Sequence, residues 1–265
     1  MKVLKFGGSS VANSENIQKV LAIVKQESKN EKVAVVVSAF GKTTDQLISA
    51  GNKALKNIAD AKETLETIKE LHDQIITDLI TTHKKEVRSE VADLFKKLVS
   101  IYEGLYLLQE LSDKTLAKIS SFGERLSSLI IANAAKELFD ATHEESRKLI
   151  TTNNDYLNAQ VNFKITDVNI TSFFDKNKHQ VVFLGGFISS NSNHETTTLG
   201  RGGSDYSATI IGSCIKADEI WLMSDVDGLM TADPKIVKNA KLLKEVSYTE
   251  AIEMALFGAK QIHPR

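Results

Sequence analysis

Apolar positions along the chain switch between two periods, and the switches predict its elements. Val3 to Phe6 reads as a short strand. Asn13 or Ser14 then opens a helix in which Ile17, Val20, Leu21 and Val24 recur at helical spacing. Val33 to Val37 is a continuous apolar run rich in valine, as expected of a strand buried on both faces. This β-α-β opening predicts a parallel sheet. Residues 45 to 138 read as almost wholly helical. Leu65, Ile68, Leu71, Ile75 and Leu79 form one stripe, and Leu94, Leu98, Ile101, Leu105 and Leu108 another, both expected to pack in the core. Asp113 is the expected cap of a helix running to about Leu138. Further on, the pattern predicts a strand over Arg147–Ile150, a short helix over 166–175 and a strand over Gln180–Leu184. A helix over Ser204–Ile215, a strand over Glu219–Met223 and a helix over Thr249–Phe257 with Gly258 after it complete the series. No repeat, low-complexity tract or linker interrupts this order.

Composition narrows the class. A chain of 265 residues forms one large α/β domain or two small ones. Thirty-three Lys and Arg against 34 Asp and Glu leave a formal charge of −1, which argues against an electrostatic nucleic-acid binder. A single cysteine, Cys214, excludes an intrachain disulfide framework and fits a reducing compartment. No run reaches the roughly 18 apolar residues of a membrane helix, and MKVLKFGG lacks a secretory stretch. The expectation is a soluble cytoplasmic α/β protein with no nucleic-acid or membrane partner.

Most glycines cluster just beyond strand-like runs, and such turns mark one ligand-binding edge of a parallel sheet. Lys5-Phe6-Gly7-Gly8-Ser9-Ser10 places a lysine, two glycines and two hydroxyls before a helix. Backbone N–H groups and an ammonium suit phosphate, although neither G-x-x-x-x-G-K-[ST] nor G-x-G-x-x-G is present. An ordinary strand–helix turn has the same pattern. Ser38 to Asp45, after the buried strand, offers small and hydroxyl residues for a polar pocket, or simply a capped loop. In Ser120-Ser121-Phe122-Gly123-Glu124-Arg125-Leu126-Ser127-Ser128, Glu124 shares a helical face with Ser121 and Ser128. That is either a narrow site for an ammonium group or an exposed glutamate paired with solvent or Arg125. Gly185-Gly186 and Gly200-Arg201-Gly202-Gly203-Ser204-Asp205 combine a planar guanidinium fork with a helix start, which suits a carboxylate or phosphate. Finally, Ser224 to Lys235 follows a strand. Its acidic residues suit ribose hydroxyls or Mg2+-bound water, and Lys235 suits phosphate. An EF-hand is excluded, because Ile236 stands where the loop needs Glu. The six histidines form no metal signature.

Five of these stretches together resemble the aspartokinase branch of the amino acid kinase family: KFGGSSVA (5–12), SFGERLS (121–127), TTTLGRGGSDYSA (196–208), DVDGLMTADP (225–234) and FGAKQIHPR (257–265). They stand in the family's order. The resemblance implies an α/β three-layer α/β/α sandwich with a mostly parallel central sheet. It also implies transfer of the ATP γ-phosphoryl group to L-aspartate, giving ADP and 4-phospho-L-aspartate, the first step towards lysine, threonine and methionine. By the same resemblance Lys5 and Asp205 are catalytic, with Gly7, Gly8 and Ser9 cradling phosphate. Thr44, Glu124, Arg201 and Ser204 hold aspartate, Glu124 at its ammonium and Arg201 at a carboxylate. Ser224, Asp225, Met230, Asp233, Lys235 and Lys260 surround the nucleotide. ATP and Mg2+ are the implied cofactors, with no protein metal-ligand set, and a homo-oligomer is the implied assembly. Met230 stands where the family usually has Tyr, Lys235 where Arg is common, and Gln261 in place of an apolar residue beside Lys260. The family continues beyond His263-Pro264-Arg265 with more catalytic domain and ACT regulatory domains, in some members fused to homoserine dehydrogenase. Residues 1–265 are therefore expected to be a catalytic domain shortened at its C-terminus and lacking an ACT domain. The rival readings are another amino acid kinase, acting on glutamate, acetylglutamate, carbamate or UMP, and a binding domain without turnover.

Overall fold

A computed structural model describes residues 1–224, 228–232 and 236–256. Two compact units divide the chain, residues 1–223 and 224–265. The first is built on a five-stranded parallel sheet. In chain order its strands are β1 (Lys2–Phe6), β2 (Val33–Val37), β3 (Ala141–Glu144), β5 (Val181–Gly185) and β8 (Glu219–Met223). Their spatial order is β3-β5-β2-β1-β8, with Lys5 opposite Val36 and Leu222. A smaller sheet joins β4 (Thr151–Thr152), β6 (Ile188–Asn191) and β7 (Thr196–Thr198).

Strand alternation divides the core into two clusters. Leu4, Phe6, Val35, Val37 and Phe183 point to one face. There they meet α1 (Ser14–Glu27), α2 (Thr43–Ala54), α3 (Ile58–Leu79), α4 (Lys84–Leu108) and α5 (Asp113–Lys136). Val3, Ala34, Val36, Val182 and Leu184 point to the other. They meet α6 (Ser146–Leu149), α7 (Phe163–Lys176) and α8 (Gly203–Cys214). Helices on both faces of a parallel sheet make the three-layer sandwich, and both faces apolar explain why β2 and β5 read as unbroken hydrophobic runs.

Most predicted elements are present, with instructive differences. Asn13 caps α1 by accepting from the Asn16 N–H, and Ser112, one residue before the expected Asp113, caps α5. Arg147–Ile150 is not a strand. It is mostly the short helix α6, whose Ser146 hydroxyl donates to the Gly185 carbonyl at 2.6 Å. The neighbouring strand is β3, an edge strand with only Ala141 buried, so no apolar run announces it. Strands β6 and β7 escape a hydrophobicity reading because they bury Ser, Thr and Asn, paired through hydroxyls such as Ser189 Oγ to Thr197 Oγ1 at 2.8 Å. Leu108 leaves its stripe and is exposed at the end of α4.

In the second unit, α9 (Tyr248–Leu256) begins with a capping box. The Glu250 carboxylate accepts from the Ser247 N–H, and Ser247 Oγ accepts from the Glu250 N–H. Met230 pairs antiparallel with Leu242. The expected role of Gly258 lies outside the described residues.

Candidate active site

Because the main strands are parallel, their C-terminal ends share one edge, and the glycine turns collect there. Lys5 alternates with Leu4 and Phe6, so its side chain leaves β1 on the face of α8. Asp205, in the first turn of α8, meets it: Nζ to Oδ1 is 2.6 Å, with the lysine 12% and the aspartate 33% exposed. The next residues bring the backbone of β1 against the β2 loop. Gly41 N–H donates to the Gly8 carbonyl at 3.1 Å. A Cβ on Gly8 would stand 3.0 Å from the Gly41 oxygen and 3.1 Å from the Ala39 oxygen, so a side chain there would press the two turns apart. Ser9 is exposed at the start of a 3-10 turn.

Helix α5 runs under the same edge and presents Glu124. The carboxyl is buried, only 5% exposed. Its Oε1 accepts from the Ala39 N–H at 3.4 Å and its carboxyl from the Thr44 hydroxyl, while Oε2 has no hydrogen-bond partner. Burial raises its pKa to about 8, against weaker lowering by these donors. The serines around it do not face the carboxyl, contrary to expectation. Ser120, Ser121 and Ser128 donate to carbonyls of their own helix, and Ser127 reaches the Ser38 carbonyl at 2.8 Å. Their contribution is small size, which lets α5 approach β5 and the β2 loop. Arg125 does not pair with Glu124 either, but lies 3.4 Å from Glu145.

A second link crosses the site. Ser38 Oγ donates to Ser204 Oγ at 3.0 Å, tying the β2 loop to the start of α8. Gly186 permits this, since a Cβ there would fall 2.7 Å from the Ser204 side chain. Phe187, at φ +66°, donates its N–H to Ser207 Oγ, a residue-level detail that the Gly185-Gly186 signal only foreshadowed. Arg201 sits exposed in the turn before α8, between Gly200 and Gly202, both at positive φ, and forms no ion pair among the described residues.

Lys5, Gly7, Gly8, Thr44, Glu124, Ser204 and Asp205 are thus joined by the turns of one edge in the first unit. Ser224 and Met230 belong to the second unit. Asp225, Asp233, Lys235 and Lys260 lie outside the described residues. Sequence reasoning passed over the Ala39 N–H and the Ser127 tie as parts of this site. The pairing of a small-residue loop after β2 with a serine-rich helix was their only signal.

The amino acid kinase family matches residues 1–265. The bifunctional aspartokinase/homoserine dehydrogenase of Buchnera aphidicola is 35% identical over all of this chain and 33% of its own length. The aspartokinase of Chlamydia pneumoniae is 34% identical over 99% of this chain and 56% of its own. Among solved structures, E. coli aspartokinase III in complex with aspartate and ADP superposes with a TM-score of 0.90 at 30% identity. That comparison covers 100% of this chain and 58% of the E. coli chain. The chain thus spans about a third to somewhat over half the length of these relatives, and on the match over its whole length it belongs to the amino acid kinase family.

Proposed function

We propose that residues 1–265 are the catalytic region of an aspartate kinase, moving the γ-phosphoryl group of ATP to the β-carboxylate of L-aspartate. One observation carries this reading: a lysine held by an aspartate beside a glycine turn shares a sheet edge with a buried carboxyl whose second oxygen is unpartnered. The first arrangement suits a transferring phosphoryl group and the second an ammonium. Similarity to aspartokinases, one of them solved with aspartate and ADP, supports it.

In this mechanism Gly7, Gly8 and Ser9 bring backbone close to phosphate, and Lys5 neutralises charge as it develops, with Asp205 fixing the ammonium in place. Glu124, steadied by Thr44, receives the substrate ammonium. Arg201 offers a two-pronged contact to a carboxylate, and Ser204, tied to Ser38, offers a hydroxyl to the same substrate. The attacking carboxylate needs no base, so positioning and charge stabilisation do the chemistry. Ser224, Asp225, Met230, Asp233, Lys235 and Lys260 would line the nucleotide. Mg2+ fits as a companion of the phosphates. Among the described residues no group of three or more metal-binding side chains stands together. Mg2+ is commonly held by one or two carboxylates, phosphates and water, and it would supply further charge neutralisation. Asp205, on the Lys5 side chain, is the carboxylate of the first unit that would stand beside it. A cytoplasmic location, a homo-oligomeric assembly and a place at the start of lysine and threonine formation belong to the same reading. Among the described residues no helix is long and apolar enough to cross a membrane.

The test is ADP release measured with L-aspartate, glutamate, acetylglutamate, carbamate and UMP. Turnover with aspartate alone, lost in Lys5→Ala, is the expected result. Turnover with another acceptor would reassign the substrate, and nucleotide or aspartate binding without any turnover would leave a binding domain.

A further inference from the structure

A second concentration of positive charge lies on α5 away from Glu124. One residue further on, roughly 100° around the helix, Arg125 lines a cleft of about 600 Å3 between α4, α5 and α6. Five cationic side chains border it: Lys96 and Lys97 from α4, Lys118 and Arg125 from α5, and Arg147 from α6. Asp93 is the one acid on its wall, and it is engaged by Lys96 at 3.1 Å.

The two arginines share a single carboxylate. Arg147 takes both oxygens of Glu145, at 3.1 and 2.7 Å, and gives its third nitrogen to Thr196 Oγ1 at 2.9 Å. Arg125 is left with a 3.4 Å approach to Glu145 that is not a hydrogen bond, and its buried Nε–H has no partner. Its guanidinium stacks on Phe122, 4.4 Å from the ring centre, which fixes its plane. Burial and the neighbouring Arg147 together pull the Arg125 pKa down to about 10, as expected where positive charge exceeds negative. A concave site of this volume is in the range of small-molecule sites.

We propose that this cleft binds a compact polyanion, its charge carried by phosphate or carboxylate groups. Arg125 and Arg147 would form the floor, and Lys97 and Lys118 the exposed rim. The proposal does not depend on the catalytic assignment, because none of these side chains belongs to the Lys5–Glu124 site.

Calorimetric titration at low salt with two probes, inorganic tripolyphosphate and citrate, tests it. At least one probe is expected to bind, and the double reversal Lys97→Glu/Lys118→Glu to weaken that binding tenfold or more. Both lysines are exposed, so an unchanged melting temperature shows that the variant is folded. Lys5→Ala should leave the affinity within twofold, which separates the cleft from the catalytic phosphate cradle. The proposal is overturned if neither probe binds, if the reversal leaves affinity unchanged, or if Lys5→Ala abolishes binding. Capture of a polyglutamate peptide with no binding of either small anion would likewise overturn it, in favour of a protein contact.

Discussion

Lys5 Nζ stands 2.6 Å from Asp205 Oδ1, joining the end of the second-last strand in the sheet to the first turn of α8. With the lysine mostly buried, the aspartate fixes where that positive charge sits. Lys5→Ala should therefore cost turnover by a factor of about 10² to 10³ or more, the usual loss when one preorganised charge is removed. Aspartate binding should persist, since Glu124 and Thr44 are untouched. Asp205→Asn should lower kcat with little change in the KM for aspartate. Steady-state ADP release and direct aspartate titration check both, and full turnover in Lys5→Ala would remove the lysine from the chemistry.

How much of this was legible in the sequence differs by element. Leu4, Phe6 and the 33–37 run announce their strands because both faces of the sheet are apolar, and the glycine turns announce the edge where the site collects. Lys5 and Asp205 sit 200 positions apart, and only the alternation of β1 against α8 brings them together. The burial of Glu124 was not legible, because its neighbours are serines and an arginine that also suit a solvated face. Strands β6 and β7 hide for a related reason: hydroxyl pairs satisfy Ser and Thr inside the protein, where a periodicity argument looks for hydrocarbon.

Glu124 gives a pH dependence with a definite sign. Its folded pKa of about 8 exceeds the ordinary 4.5. Below pH 4.5 both folded and unfolded states hold the proton and nothing is lost. Between 4.5 and 8 the unfolded chain ionises first, so this group lowers stability as pH rises, reaching a cost of about 5 kcal/mol above pH 8. Glu124→Gln should thus melt higher than wild type at pH 8.5 and nearly equally at pH 4.5. An equal gain at both pH values would show that the ionised carboxyl is not the source of the cost.

The same carboxyl must be ionised to hold an ammonium. Aspartate affinity should therefore strengthen by up to about tenfold per unit as pH rises from 6 to 8, with a proton released on binding. Isothermal titration in buffers of different ionisation enthalpy reads that proton directly. A flat affinity over this range would place the ammonium elsewhere.

Arg201→Lys should raise the KM for aspartate at least tenfold while leaving nucleotide affinity nearly unchanged, because a planar fork is replaced by a point donor. Its exposed position between two glycines makes a folding defect an unsuitable explanation, and an unchanged melting temperature would confirm that. Selective loss of nucleotide binding would move Arg201 to the phosphate side.

Gly123 supplies the last test, because its effect can be separated from the general cost of changing a helical glycine. A Cβ added there would lie 2.6 Å from Thr44 Oγ1 and 2.7 Å from the Ala39 Cβ, both on the segment that caps Glu124. In an open helix, Gly→Ala stabilises by roughly 0.5–1 kcal/mol. Gly104, in α4, meets nothing within 4 Å, so Gly104→Ala should show that gain. Gly123→Ala should lose about 1–3 kcal/mol to overpacking instead. The Thr44 side chain must move to admit the methyl, which breaks its hydrogen bond to the Glu124 carboxyl, and aspartate binding should fall more than nucleotide binding. Melting curves of both variants, with each ligand titrated separately, check the pair. Equal stabilisation by the two alanines would mean that α5 stands further from the β2 loop than these contacts require.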